Sequence, residues 1–169
     1  TELIDLCDRF ILTLLMFQDV PGLMVGVEAE SGGVLRGYER MAARLARARV
    51  PKLGVVMRKA YGGGHFALGG RPTKPDFLFG WPSAEIGFMA PAPGVRTVYR
   101  RKIDAMEPEE AARFQEEQIA QWQDDSAPWE AAAHLALDDI IDPATTRATL
   151  ITALNYAWPS GPRVTAAGG

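Results

Sequence analysis

Three consecutive glycines, Gly62, Gly63 and Gly64, follow the apolar run LGVVM at 53–57, and His65 comes directly after them. The surrounding stretch KAYGGGHFALGG, 59–70, contains neither serine nor cysteine, so it offers main-chain amides rather than a side-chain nucleophile. Residues without a Cβ let a ligand approach N–H groups closely, and the end of a buried parallel strand is where α/β folds place their ligands. If a short helix starts at about His65, those amides also lie at its positive end. Together they could form an oxyanion hole, in which each well-placed donor stabilises a developing charge by roughly 3–4 kcal/mol. The same residues also fit a second reading, a tight strand-to-helix turn with no ligand.

Other chemistries lack their residues. His65 and His134 are far apart with no cysteine near either, and no H-E-x-x-H occurs, so a zinc site is not expected. No G-x-S-x-G elbow is present, and nothing around Cys7 resembles a catalytic-cysteine context. As the single cysteine, Cys7 also excludes an internal disulfide. Lys59 precedes the glycines instead of following them, which argues against a phosphate-binding loop.

Elements must position these residues. TLLMF, 13–17, reads as a buried strand entering the turn QDVPG, followed by a loop through Gly22, Gly26, Gly32 and Gly33. The segment 34–50 reads as a helix stopped by Val50-Pro51. Arg36, Arg40, Arg44 and Arg47 share one of its faces, and Leu35, Met41, Leu45 and Ala48 another. A second strand at 53–57 completes a strand–helix–strand unit, which implies parallel pairing. Two more strands are expected at 76–81 and 85–89, and Tyr61, Trp81 and Phe88 as core or pocket wall. Three proline-opened segments, 107–123, 128–142 and 143–157, read as helices. The expected organisation is an α/β core over 1–103, a helical C-terminal part over 104–157 and a tail over 158–169.

The chain of 169 residues, 47% hydrophobic and 23% charged, has the composition of one globular domain. No apolar run reaches the roughly 20 residues of a membrane span, and the acidic N-terminus is unlike a signal peptide, so a cytoplasmic protein is expected. The net charge of −3 hides an asymmetry: eight bases and one acid lie between Arg36 and Lys59, but nine acids and one base between Asp104 and Glu130. No nucleic-acid motif accompanies the arginines, so nucleic acid is not expected, and they are read as a face for solvent or for the acidic helices of another protomer.

Read in order, several motifs resemble the C-terminal half of biotin-dependent acyl-CoA carboxyltransferases, the group containing the acetyl-, propionyl- and methylcrotonyl-CoA carboxylase β subunits. They are Asp19, Pro21 and Gly22; Glu30, Gly32, Gly33 and Arg36; Val50-Pro51-Lys52; Arg58 to Gly64; Trp81 to Ile86; and DDIIDPATTR at 138–147. The resemblance implies a crotonase/ClpP-like fold, an α/β architecture with a parallel β-sheet core, helices and a helical C-terminal part. It also implies carboxyl transfer from carboxybiotin to an acyl-CoA, with charge developing on a ureido oxygen and on a thioester oxygen. By position, Gly63 and Gly64 correspond to the amides that hold the biotin ureido oxygen. Gly62, His65, Phe66, Tyr61, Gly32, Gly33, Glu30 and Arg36 are then candidates for binding biotin or substrate, although His65 could equally pack at a helix start and Glu30 and Arg36 could flank a capped one. Biotin would arrive on a partner carrier domain, coenzyme A would be part of the substrate, and no metal is implied.

The sequence departs from the family twice. Nothing ahead of Thr1 corresponds to the N-terminal domain or to the opening strand of the C-terminal one, so the second oxyanion hole must come from elsewhere. Partners are therefore expected: an N-terminal carboxyltransferase half or second subunit, a biotin carboxylase and carrier subunit, and a homo- or hetero-oligomer. Phe66 also stands where propionyl-type members carry an acid that helps choose the acyl group, which favours a bulkier or more apolar one. Alternatives from the same residues are a biotin-linked acyl-CoA decarboxylase, a crotonase-like hydratase or isomerase using Glu28 and Glu30, and a non-catalytic assembly subunit.

Overall fold

The computed structural model describes residues 1–158, so the expected tail falls outside the described residues except for Trp158. The chain opens with a helix that the sequence reading did not anticipate, α1 (Glu2–Phe10), whose acids Glu2 and Asp5 suit the positive end of its dipole. Strand β1 (Leu14–Val20) follows, then the short α2 (Val27–Ser31), α3 (Val34–Arg47) and the ten-residue β2 (Lys52–Tyr61). After β2 come α4 (Gly62–Ala67), β3 (Phe77–Gly80), β4 (Glu85–Gly87), α5 (Pro91–Val98), α6 (Arg100–Ile103) and α7 (Pro108–Asp125). The chain continues through α8 (Pro128–Ala133), β5 (Asp139–Ile140) and α9 (Thr146–Ala157).

All strand pairings are parallel, in the order β1-β2-β3-β5, with β4 added to the far end of β2. Strand β2 reads as a nearly continuous apolar run because it has neighbours on both edges and cover on both faces. Leu53 and Val55 point to one side and join Phe79, Ile141, Leu150 and Ala153 under α9. Val56 and Ala60 point to the other and join Leu78, Ala84 and Leu137. A third cluster, Ile4, Cys7, Leu14, Leu45 and Val50, seats α1 and α3 beside the start of the sheet.

Helix α3 ends earlier than expected, at Arg47, and Ala48 is already extended, which lets Val50 turn into the third cluster. Leu45 is buried on this helix but Leu35 is 53% exposed, so the apolar face begins one turn later than its sequence suggests. Arg44 pairs with Asp5 and Arg49 with Asp8, so α1 supplies acids to this basic segment from within the chain.

The segment 128–142, read as one helix, instead contains α8, a reversal at Leu135 with φ 58°, and the fifth strand. Asp138 explains the change. Its carboxylate accepts the Leu78 amide at 2.6 Å and pairs with Arg71 at 2.9 Å, fixing β5 beside β3. Among the described residues, no helix is long and apolar enough to cross a membrane.

Helix α5 packs on α7 so closely that a Cβ on Gly94 would lie 2.2 Å from Cζ3 of Trp122. Gly94→Leu should therefore cost about 1–3 kcal/mol through overpacking, a fall in Tm of roughly 2–10 °C. Thermal unfolding followed by circular dichroism measures it, and an unchanged Tm would contradict this packing.

Candidate active site

The site is built where β2 changes partner. Along most of its length β2 pairs with β1, from Leu14↔Lys52 to Gln18↔Val56, but the next match is Val20↔Ala60. Met57, Arg58 and Lys59 therefore bulge opposite Asp19. The Asp19 carboxylate fills the gap, accepting the Lys59 amide at 3.2 Å and the Arg58 guanidinium at 3.0 Å. The hydrogen bond from Arg58, followed by that from Lys59, holds this carboxyl below the ordinary aspartate range. On its other edge β2 pairs with β3 as far as Val56↔Gly80, and residues 59–61 then pair with 85–87 of β4, while Ala60 keeps Val20 of β1 as its neighbour.

Tyr61 ends the strand, 1% exposed, and its hydroxyl donates to Glu85 at 2.6 Å. Burial first, and the Glu85 carboxylate second, push the phenol pKa well up, so this side chain is a neutral tie between β2 and β4. The backbone then enters α4 with no loop between, a correction to the glycine-rich loop and to a helix start near His65. Gly62 is already helical in the chain order but has φ 53°, and a Cβ there would meet the Phe88 carbonyl at 2.8 Å. A Cβ on Gly64 would meet Cγ2 of Val20 at 2.9 Å and the Gly22 carbonyl at 3.0 Å, so the Asp19–Gly22 turn lies directly against the start of α4. The amides of a helix's first turn have no intrahelical acceptor, which places those of Gly62, Gly63 and Gly64 as a group of donors at one helix end.

The remaining candidates separate. His65 is 6% exposed and points inward: its Nδ1 lies 2.7 Å from Oε1 of Gln18, whose Nε2 donates to the Leu68 carbonyl at 3.0 Å. Because the Leu68 carbonyl can only accept, the amide oxygen of Gln18 faces the ring and Nδ1 carries the proton. Phe66 projects outward, 45% exposed, with its ring centroid 5.6 Å from that of His65. Glu30 is exposed on α2, Gly32 caps that helix, Gly33 begins α3, and Arg36 is exposed in its first turn. Among the described residues, no hydrogen bond or ion pair joins Glu30 or Arg36 to α4. Phe88, expected in the core or a pocket wall, is 84% exposed, and Met24, Val25 and Val27 are similarly open. Among the described residues no group of three or more His, Cys, Asp or Glu could hold a metal ion.

Gln18 was missed in the sequence, although a signal exists. It is the polar residue in an apolar strand at the alternate, inward-facing position shared by Leu14 and Met16, and it is fully buried.

Comparison with known proteins gives first the class and then the family. The structure of the transcarboxylase 12S hexamer core, solved with methylmalonyl-coenzyme A and methylmalonic acid bound, superposes with a TM-score of 0.86 at 35% identity, covering 99% of this chain and 32% of that one. The fold is thus the crotonase-like α/β fold of carboxyltransferases. In sequence, the chain is 39% identical over 154 residues to the methylmalonyl-CoA carboxyltransferase 12S subunit of Propionibacterium freudenreichii subsp. shermanii, covering 90% of this chain and 29% of that protein. It is 38% identical over 159 residues to the biotin-dependent 3-methylcrotonyl-coenzyme A carboxylase beta1 subunit of Mycobacterium tuberculosis, covering 90% of this chain and 30% of that subunit. The carboxyl transferase domain matches residues 1–165, and the chain belongs to that family. It spans 29% to 32% of the length of these relatives.

The buried histidine has a measurable consequence. Burial lowers the His65 pKa to about 4 from its ordinary 6.5. Between these values the unfolded chain binds a proton that the folded chain does not, so the His65 contribution to stability is full above about pH 6.5 and declines as pH falls toward 4. Urea unfolding at pH 7 and pH 4 should show that His65→Gln loses roughly 3 kcal/mol less than the parent over this range. Equal losses would place His65 in a solvated setting.

Proposed function

We propose that this chain supplies the biotin-side half of an acyl-CoA carboxyltransferase active site, with the amides of Gly63 and Gly64 as its catalytic groups. The observation that carries the reading is the direct passage of the buried strand β2 into α4, which presents first-turn amides at the strand's C-terminal end. The residues fit the group concerned: a cluster of main-chain donors beside a helix dipole suits an oxygen that becomes anionic, and no cation or nucleophile is required. Biotin, when bound, supplies a ureido group that exchanges a carboxyl and whose oxygen carries the resulting charge.

This chain's residues then have separable tasks. Gly63 and Gly64 donate to the anionic oxygen, and Gly62 supplies the backbone geometry that starts the helix. Phe66 offers an exposed aromatic wall beside these donors, which suits an apolar acyl group. Gly32, Gly33, Glu30 and Arg36 border the site on the side of α2 and α3. Tyr61 and His65 contribute by holding backbone rather than by touching substrate. The open apolar residues Met24, Val25, Val27 and Phe88 are a seat for the complementary half, an N-terminal carboxyltransferase half or second subunit that holds the acyl-CoA thioester. A biotin carrier and biotin carboxylase complete the oligomeric assembly, which works in the cytoplasm where acyl-CoA thioesters are available.

Transfer of carboxyl from methylmalonyl-CoA to free biotin tests this reading in the complete assembly. Gly64→Ala drives a Cβ against Val20 and the Gly22 carbonyl and should lower kcat by about 100-fold; an unchanged rate in a folded variant would overturn the assignment. Phe66→Asp should shift kcat/KM by roughly 10- to 100-fold toward smaller acyl groups. Competition among acetyl-, propionyl- and methylcrotonyl-CoA reads that shift, and unaltered preferences would remove Phe66 from substrate choice.

A further inference from the structure

The six residues of α4 are too few to hold a helix in place by their own hydrogen bonds. Its start is fixed by β2 and by glycine contacts, but its far end requires an external tie. Gln18 supplies one. From β1 it makes two bonds to α4 and its cap: the Oε1 partner of His65 Nδ1 at 2.7 Å and the Nε2 donor to the Leu68 carbonyl at 3.0 Å. The side chain is completely buried, where an apolar residue would fill the same volume without the desolvation cost of an amide. Its surroundings fit that shape, since a Cβ on Gly69 would come within 3.5 Å of Nε2 and one on Gly54 within 3.7 Å. On the far side of the His65 ring Gly70 packs close, since a Cβ there would lie 3.0 Å from Nε2. The His65 carbonyl in turn accepts the Gly70 amide at 3.0 Å.

We propose that Gln18 and His65 form a buried clamp of positioning residues that sets where the Gly63 and Gly64 amides stand during carboxyl transfer. This rests on the function proposed above. His65 follows Gly64 directly, so a shift of its ring is passed to the donors within one helical turn. A misplacement of about 1 Å costs on the order of 100-fold in rate for groups that must meet a reacting atom. Neither side chain touches substrate.

The test again uses methylmalonyl-CoA and free biotin with the complete assembly. His65→Leu, which keeps an apolar volume but cannot donate, should lower kcat by about 100-fold and leave the KM for methylmalonyl-CoA unchanged. His65→Gln can still donate to Gln18 and should recover most of that loss. Gln18→Met should match His65→Leu, and the double variant Gln18→Met/His65→Leu should be no worse than either alone, because the pair acts as one unit. Equal activity of His65→Leu and His65→Gln would overturn the clamp, as would additive losses. If these variants are silent while Gly64→Ala still loses activity, the clamp fails and the site reading stands; if Gly64→Ala is silent too, both fail. Nitrogen-15 NMR of the unsubstituted protein gives a result independent of variant folding: the clamp requires His65 protonated at Nδ1, and protonation at Nε2 alone would overturn it.

Discussion

Where the pairing of β2 with β1 skips from Gln18↔Val56 to Val20↔Ala60, residues 57–59 lose their partner on that edge, and the carboxylate of Asp19 accepts the Lys59 amide that the skip would strand. A buried or half-buried ladder leaves few polar groups without partners, because an unsatisfied amide costs about as much as a lost hydrogen bond. By taking the Lys59 N–H, Asp19 allows the bulge, beyond which Ala60 pairs with Val20 of β1 on one edge and with Ile86 of β4 on the other. Tyr61 and Glu85 then lock the new pair. The position of α4 follows, since it starts at the very next residue. An aspartate in a turn motif thus acts at a distance on the donors, through backbone rather than through substrate.

Patterns that depend on burial were legible in the sequence. The continuous apolar run of β2 and the Ala-, Leu- and Arg-rich α3 announced their elements, and parallel pairing followed from the unit they form. Features that depend on one specific partner were not. The strand β5 lay hidden in an acidic segment because its place is fixed by Asp138 meeting the Leu78 amide and Arg71. Helix α1 does carry the one-sided pattern of a surface helix, with Leu3, Ile4, Leu6, Cys7 and Phe10 on one face and Glu2, Asp5, Asp8 and Arg9 on the other, although only Ile4 and Cys7 of the apolar face are buried. In the candidate site, the glycines and Phe66 could be singled out from residue type and order. The inward turn of His65 could not, because it depends on Gln18, which is 47 residues away in sequence.

Charge is arranged differently from what its sequence distribution suggests. The basic stretch around α3 meets acids of α1 within the same chain, through Arg44 with Asp5 and Arg49 with Asp8. Both pairs are well exposed and contribute little to stability on their own. They nevertheless leave Arg36, Arg40 and Arg47 as exposed cations on this helix.

The contact between the Asp19–Gly22 turn and the start of α4 ties two segments that sequence order keeps apart. Since a Cβ at Gly64 would lie only 3.0 Å from the Gly22 carbonyl, the two backbones pack in direct contact. The glycine start of α4 and the Pro-Gly turn are therefore one heritable unit, able to drift only through paired changes. An engineer exchanging segments between relatives to retune acyl choice has a natural seam just after this unit. Grafts that begin at Phe66 leave the paired backbones intact, whereas grafts that cut between Gly22 and Gly64 separate two halves of a single joint.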